Sequence, residues 1–134
     1  MDTTVLDVDT SNERVVDLTE RVRAFCRSRG DGLVNVFAPH ATAGVAIMET
    51  GSRSEGDLVD ALERLLPRDD RYRHAHGSRG HGADHLLPAI VAPTLVLPVQ
   101  DGDPLLGTWQ SVVLVDFNGD NPRRTVRLTF LPSP

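Results

Sequence analysis

The chain has 134 residues, 40% of them hydrophobic and 25% charged, and a formal net charge of −5. That is enough for one domain with a packed core and short for two, and an acidic chain without a basic run excludes nucleic acid as a partner. All 14 basic residues are arginine, which also excludes Schiff-base chemistry, pyridoxal phosphate and a lysine-bearing phosphate loop.

Residues 3–8, TTVLDV, read as a first strand, and the preceding residues lack the apolar region of a signal peptide. Asp17 with Glu20 forms a D-x-x-E variant of the capping box. Leu18, Val22, Phe25 and Cys26 then recur at helical spacing until Gly30 supplies a stop. The single Cys26 forbids an intrachain disulfide, which fits the cytoplasm, and its place on this apolar face suits a small buried hydrophobe.

GLVNVFAPH reads as a mostly buried strand ending at Pro39, and AGVAIME as another, with Val45 and Ile47 on one face. Ser54 and Asp57 start a second helix whose Leu58, Leu62 and Leu65 share one side, and Pro67 ends it. The segment YRHAHGSRGHGADH (72–85) holds four of the five histidines, and its glycines argue against a regular helix. Residues 85–91 are compatible with a short helix. The apolar stretch from Leu86 to Val99 is interrupted by Pro88, Pro93 and Pro98 and is too short to span a bilayer, so no membrane association is expected.

PTLVLPV is a strand, followed by a turn signal at Asp101-Gly102 and then LLGTW. QSVVLVDF and RTVRLTFL are strands, and the Asn118-Gly119 between them marks a hairpin. In the last strand Val126, Leu128 and Phe130 face in, while Thr125, Arg127 and Thr129 face out. Strands dominate without a regular βαβ alternation. The expected fold is therefore α+β, a single domain over 1–134 with a largely antiparallel β-sandwich and two main helices packed on it.

Three groups are candidates for chemistry. PHATAG places Pro39, His40, Thr42 and Gly44 at a strand junction, where an imidazole, a hydroxyl and an approachable backbone could meet a ligand; an ordinary tight turn is the alternative. The histidine-rich loop suits a zinc-like ion, although short His-rich tracts also occur as solvated loops, and Glu49 could join as carboxylate ligand or general base. LGTWQ holds the only tryptophan, Trp109, either a core or interface anchor or a ligand platform. Its neighbour Gln110 has both a donor and an acceptor to offer a ligand.

PHATAGVAIME, YRH, the later ADH before an apolar run, PV-x-DG and LGTWQ, in this order from about Gly32 to the C-terminus, resemble the YjbQ family. The resemblance implies a β-sandwich α+β fold, a homotrimer with clefts between subunits, and a secondary thiamine-phosphate-synthase-like activity. In that activity a pyrimidinylmethyl group passes from its diphosphate to a thiazole phosphate. It places His40, His74 and His85 on the motif histidines, as expected metal ligands, and leaves His76 and His81 outside the pattern. Glu49, Trp109 and Gln110 match as well, and Asp116 falls on a usually acidic position. Glu49 and His40 are thus the expected catalytic pair, with Thr42, Gly44, Arg53, Trp109 and Gln110 toward a small phosphorylated substrate. Ala41, Met48 and Ser52-Arg53 depart from the motif's polar residues, with Arg53 near the place of a lost aspartate.

The expected cofactor is a divalent metal: histidines favour zinc or a similar ion, whereas a diphosphate substrate suits magnesium. Zinc-dependent hydrolysis of a small metabolite and a non-catalytic metal- or metabolite-binding trimer are the competing readings.

Overall fold

The computed structural model describes residues 1–134 and shows two antiparallel sheets packed face to face, with three helices. In chain order the elements are β1 (Asp2–Asp9), β2 (Val15–Asp17), α1 (Thr19–Cys26), β3 (Gly32–Phe37), β4 (Ala43–Met48), α2 (Ser54–Leu65), α3 (His81–Ile90), β5 (Thr94–Gln100), β6 (Asp103–Pro104), β7 (Ser111–Asp116) and β8 (Arg123–Pro132). The larger sheet has the order β1-β8-β3-β5-β6 and the smaller β2-β7-β4. The single-domain α+β expectation is met.

Alternation along the strands builds the core between the sheets. Val126, Leu128 and Phe130 of β8 and Val34 and Val36 of β3 point inward and are buried, together with Val112 and Leu114 of β7. Helix α1 closes one end by inserting Val22, Phe25 and Cys26 into the same core. Its start is held by Asp17, whose carboxylate accepts from the Thr19 amide at 2.8 Å.

Strand β7 is buried on both faces, which explains its unbroken VVLV run. Val113 and Val115 turn away from the sandwich and form a second core with Val15, Leu62 of α2 and Leu87 of α3. Of the leucines expected to line α2, only Leu62 is buried; Leu65 is 60% exposed, because the helix meets the sheet along a narrow stripe. In β4, Val45 is buried but Ile47 is at the exposed margin of the sheet.

Two turns behave differently from one another. Asp101 and Gly102 both adopt positive φ (51° and 77°) and join β5 to β6 with Gln100 opposite Asp103, the tight hairpin that Asp-Gly favours. Asn118-Gly119 does not form the expected hairpin, since β7 and β8 lie in different sheets and the segment crosses between them. Asn118 instead organises the crossing: its amide donates to Asp116 (3.0 Å) and its side-chain oxygen accepts from the Asp120 amide (3.0 Å).

Candidate metal centre

The histidine-rich segment is helical from His81 onward. Helix α3 begins at His81 after Gly80, which has φ of 80°, so His81 and His85 stand one turn apart on the same face. Pro88 lies inside α3 and offers no amide to the preceding turn, and the helix closes with the Val91 amide donating to Leu87 O at 2.8 Å. The loop from Pro67 to Gly80 then folds back over the first turn of this helix. Tyr72 anchors it by donating its hydroxyl to Pro67 O at 2.7 Å.

Gly82 permits the approach. A Cβ there would stand 2.5 Å from Tyr72 Cβ and 2.8 Å from His74 O, so any side chain would push the loop off the helix. The result brings His74, His76, His81 and His85 together, with one ring nitrogen of each within 4.8 Å of the others. The rings of His74 and His85 are 4.2 Å apart between centroids, those of His81 and His85 4.6 Å, and those of His76 and His81 4.8 Å. His81 Nε2 and His85 Nε2 face each other at 2.9 Å. Two imidazole lone pairs at that distance repel unless a proton or a cation lies between them.

The surroundings of His81 fit a metal ligand. Its Nδ1 is buried without a hydrogen bond, 3.2 Å from Asp120 Oδ2 and 3.7 Å from Asp84 Oδ2. A ligating histidine normally turns its second nitrogen to a carboxylate in this way, which fixes the tautomer and the ring. Asp84 is itself almost fully buried and ion-paired with Arg68, and burial raises its pKa against that pairing. Burial, and then the neighbouring histidines, hold His85 below the ordinary imidazole range and so keep it neutral, the form that binds metal.

Within one chain the structure gathers a different group from the expected ligand set. His74 and His85 belong to the group, but their companions are His76 and His81, which were expected to point elsewhere, and not His40. His40 lies between β3 and β4, where its Nε2 is 3.0 Å from both the amide nitrogen and the carbonyl oxygen of Thr125. Burial lowers the His40 pKa, and the Thr125 backbone contact works against that shift. The signal for this pair in the sequence is His81-x-x-x-His85, a spacing that puts two imidazoles on one helix face.

The PHATAG junction carries a buried hydrogen-bond network. Thr42 is buried, and its hydroxyl oxygen accepts from Arg124 Nη2 (2.7 Å) and Asn118 Nδ2 (3.2 Å). Arg124 in turn forks onto Asp116 through Nε (2.6 Å) and Nη2 (2.9 Å), and Thr10 donates to the same carboxylate at 2.6 Å. What Gly44 admits is the Val91 carbonyl, which a Cβ would overlap. Glu49 and Arg53 are exposed and stand outside the histidine group. Arg53 holds positive φ (70°) at the start of α2. Trp109 is 73% exposed, and Gln110 spends its side-chain oxygen on the Gly107 amide at 2.8 Å.

A cleft of about 330 Å³ opens beside the histidines, lined by His74, His76, His81, Tyr72, Ser78 and Arg79 among others. It is in the range that admits a small polar metabolite. No helix is long and apolar enough to cross a membrane.

Comparison with known proteins agrees with this architecture. A family model described as UPF0047 protein YjbQ-like matches residues 4–133. A UPF0047 protein of Mycobacterium tuberculosis is 73% identical over 98% of this chain and 98% of its own, and one from Archaeoglobus fulgidus is 33% identical over 84% and 87%. Among solved structures, a hypothetical protein of Aeropyrum pernix superposes with a TM-score of 0.89 at 31% identity, covering 99% of this chain and 100% of that one. A conserved hypothetical protein of Thermus thermophilus gives 0.84 at 33% identity over 96% and 99%. The match extends the resemblance seen from Gly32 onward back through the first strand and helix, and the chain belongs to the YjbQ (UPF0047) family.

Proposed function

We propose that this protein binds a zinc-type divalent ion through His74, His76, His81 and His85 and acts there on a small phosphorylated metabolite. The observation that carries the reading is the convergence of four ring nitrogens within 4.8 Å. Zinc-bound nitrogens at bonds of about 2.0–2.1 Å lie roughly 3.4 Å apart, so ring rotations suffice to close the set. An all-imidazole donor set suits zinc, nickel or copper and does not suit magnesium, which asks for oxygen.

When bound, such an ion supplies Lewis acidity toward a phosphate or diphosphate oxygen. The chain's own part is to hold and orient. His81 and His85 are fixed on α3, while His74 and His76 ride on an exposed loop, and Arg79 lines the same cleft with a guanidinium suited to phosphate. The family resemblance makes the coupling of hydroxymethylpyrimidine diphosphate to thiazole phosphate, with release of pyrophosphate, the first reaction to assay. Glu49 is exposed and outside the group, so a Glu49-driven hydrolysis has no support from the geometry.

The number of histidines favours one second reading. Four protein ligands fill a tetrahedral zinc sphere, as in structural sites, whereas catalytic sites keep one position open. On that reading the protein is a metal-binding trimer without chemistry. Zinc titration against a chromophoric chelator, followed by assay of thiamine phosphate formation by the zinc-loaded and chelator-treated protein, separates the two. Stoichiometric zinc with zinc-dependent product supports the enzyme, zinc without product supports the binding protein, and no zinc ends both.

A further inference from the structure

Asp120 stands at a junction that the four histidines alone do not explain. It comes from the crossing between β7 and β8, far in sequence from the histidine loop, and it is delivered there by Asn118, whose side chain holds the Asp120 amide at 3.0 Å. Its Oδ2 accepts from the Ser78 amide at 3.0 Å and from the Ser78 hydroxyl at 3.1 Å. The same oxygen is 3.2 Å from the buried, unbonded Nδ1 of His81. Gly77 has φ of 75°, and a Cβ on it would stand 2.7 Å from Asp120 Oδ2 and 2.9 Å from His81 Cγ. The loop is therefore drawn tightly over one carboxylate oxygen that also faces a ligand ring.

We infer that Asp120 is a positioning residue of the metal centre: it clamps the loop bearing His74 and His76 onto helix α3 and holds His81 with Nε2 toward the metal. The inference rests on the metal-binding reading proposed above. A small turn of the His81 ring points Nδ1–H at Asp120, which leaves Nε2 as the free lone pair and raises its basicity. Asp84 lies on the other side of the ring at 3.7 Å, and its second oxygen is committed to Arg68 at the start of the loop rather than to the stretch that carries His74 and His76. Asp120 bonds Ser78, two residues past His76, and faces the His81 ring, and so joins the two halves of the ligand set.

The test uses the full chain with Asp120→Ala, Asp120→Asn and, as a charge control, Asp57→Ala on the exposed face of α2. Zinc affinity is read by chelator competition, and loop closure by tryptic cleavage after Arg73 and Arg79 with and without zinc. The His81 tautomer is read from its ring nitrogen shifts. We expect Asp120→Ala to bind zinc about ten- to a hundredfold more weakly, to lose zinc protection at Arg79, and to give a mixed His81 tautomer, with Asp57→Ala unchanged. Asp120→Asn preserves the shape and one acceptor, so it keeps the fold should the alanine variant fail to, and it is expected to fall between the two. Wild-type affinity and protection in both Asp120 variants overturn the inference and leave the metal site standing. If the wild-type chain itself binds no zinc, the metal reading and the inference fall together.

Discussion

Asp116 and Arg124 form the most deeply buried ion pair of the chain, with side chains 0% and 3% exposed, and Thr10, Thr42 and Asn118 complete its hydrogen bonding. Removing one partner leaves the other charged and dry, which typically costs about 3–5 kcal/mol. Asp116→Ala is thus expected to lose that much stability in urea titration, and Thr42→Val about 1–3 kcal/mol for the donors it strands.

His40 gives a pH test with a defined sign. Burial depresses its folded pKa below the unfolded value of about 6.5, so its contribution is fully present above that pH and is lost as pH falls through the folded value. Metal-free His40→Gln should therefore show a shallower acid decline of Tm than the wild type. On zinc the same substitution should have no effect, whereas His76→Ala and His81→Ala should each lose zinc as severely as His85→Ala. Retained zinc in His81→Ala would return the ligand set to the family-motif histidines.

Among the connections, the passage from α3 into β5 is the tightest. Gly44 lies against the Val91 carbonyl, and the next amide, Val45, donates to Ala92 O at 2.8 Å. Gly44→Ala must move one of these backbones, and an overpacking cost of about 1–3 kcal/mol is expected in thermal unfolding. Arg53 at the start of α2 offers the opposite test. It occupies the left-handed region, which a side chain enters at a cost of roughly 1–2 kcal/mol and glycine without it. Arg53→Gly should raise the urea midpoint; if the arginine also holds a diphosphate, the same variant raises KM for the pyrimidine substrate in the thiamine phosphate assay.

Seen as one body, the sandwich leaves the outer face of its larger sheet uncovered by any helix, with Val5, Leu33, Val96 and Leu131 about half exposed on it and Trp109 standing out at 73% elsewhere. The proposed homotrimer would bury part of this surface. Sedimentation of the purified chain should give three times the monomer mass, and Trp109→Ala is expected to weaken assembly if the indole lies at a contact. A monomer at micromolar concentration, on the order of cellular levels, would rule out a site shared between subunits.

Sequence alone determined the composition of the layers. Period-two alternation placed Val126, Leu128 and Phe130 inward, the Asp101-Gly102 pair specified its own hairpin, and local chemistry of that kind needs no distant partner. The motif order was specific enough to identify the family. What only the tertiary structure decided was every matter set by contacts between distant segments. Asn118-Gly119 has the same local preference as a hairpin turn, but the sheets on either side claim different strands and turn it into a crossing. His40 matched the family motif, yet its ring is held by Thr125 on another strand. His76 and His81 lay outside the motif, yet the close seat of Tyr72 and His74 on Gly82, and the reach of Asp120 from the crossing between β7 and β8, bring them to their neighbours. Spacing along a chain fixes which residues share a helix face or a strand face; which faces meet depends on packing of the whole core.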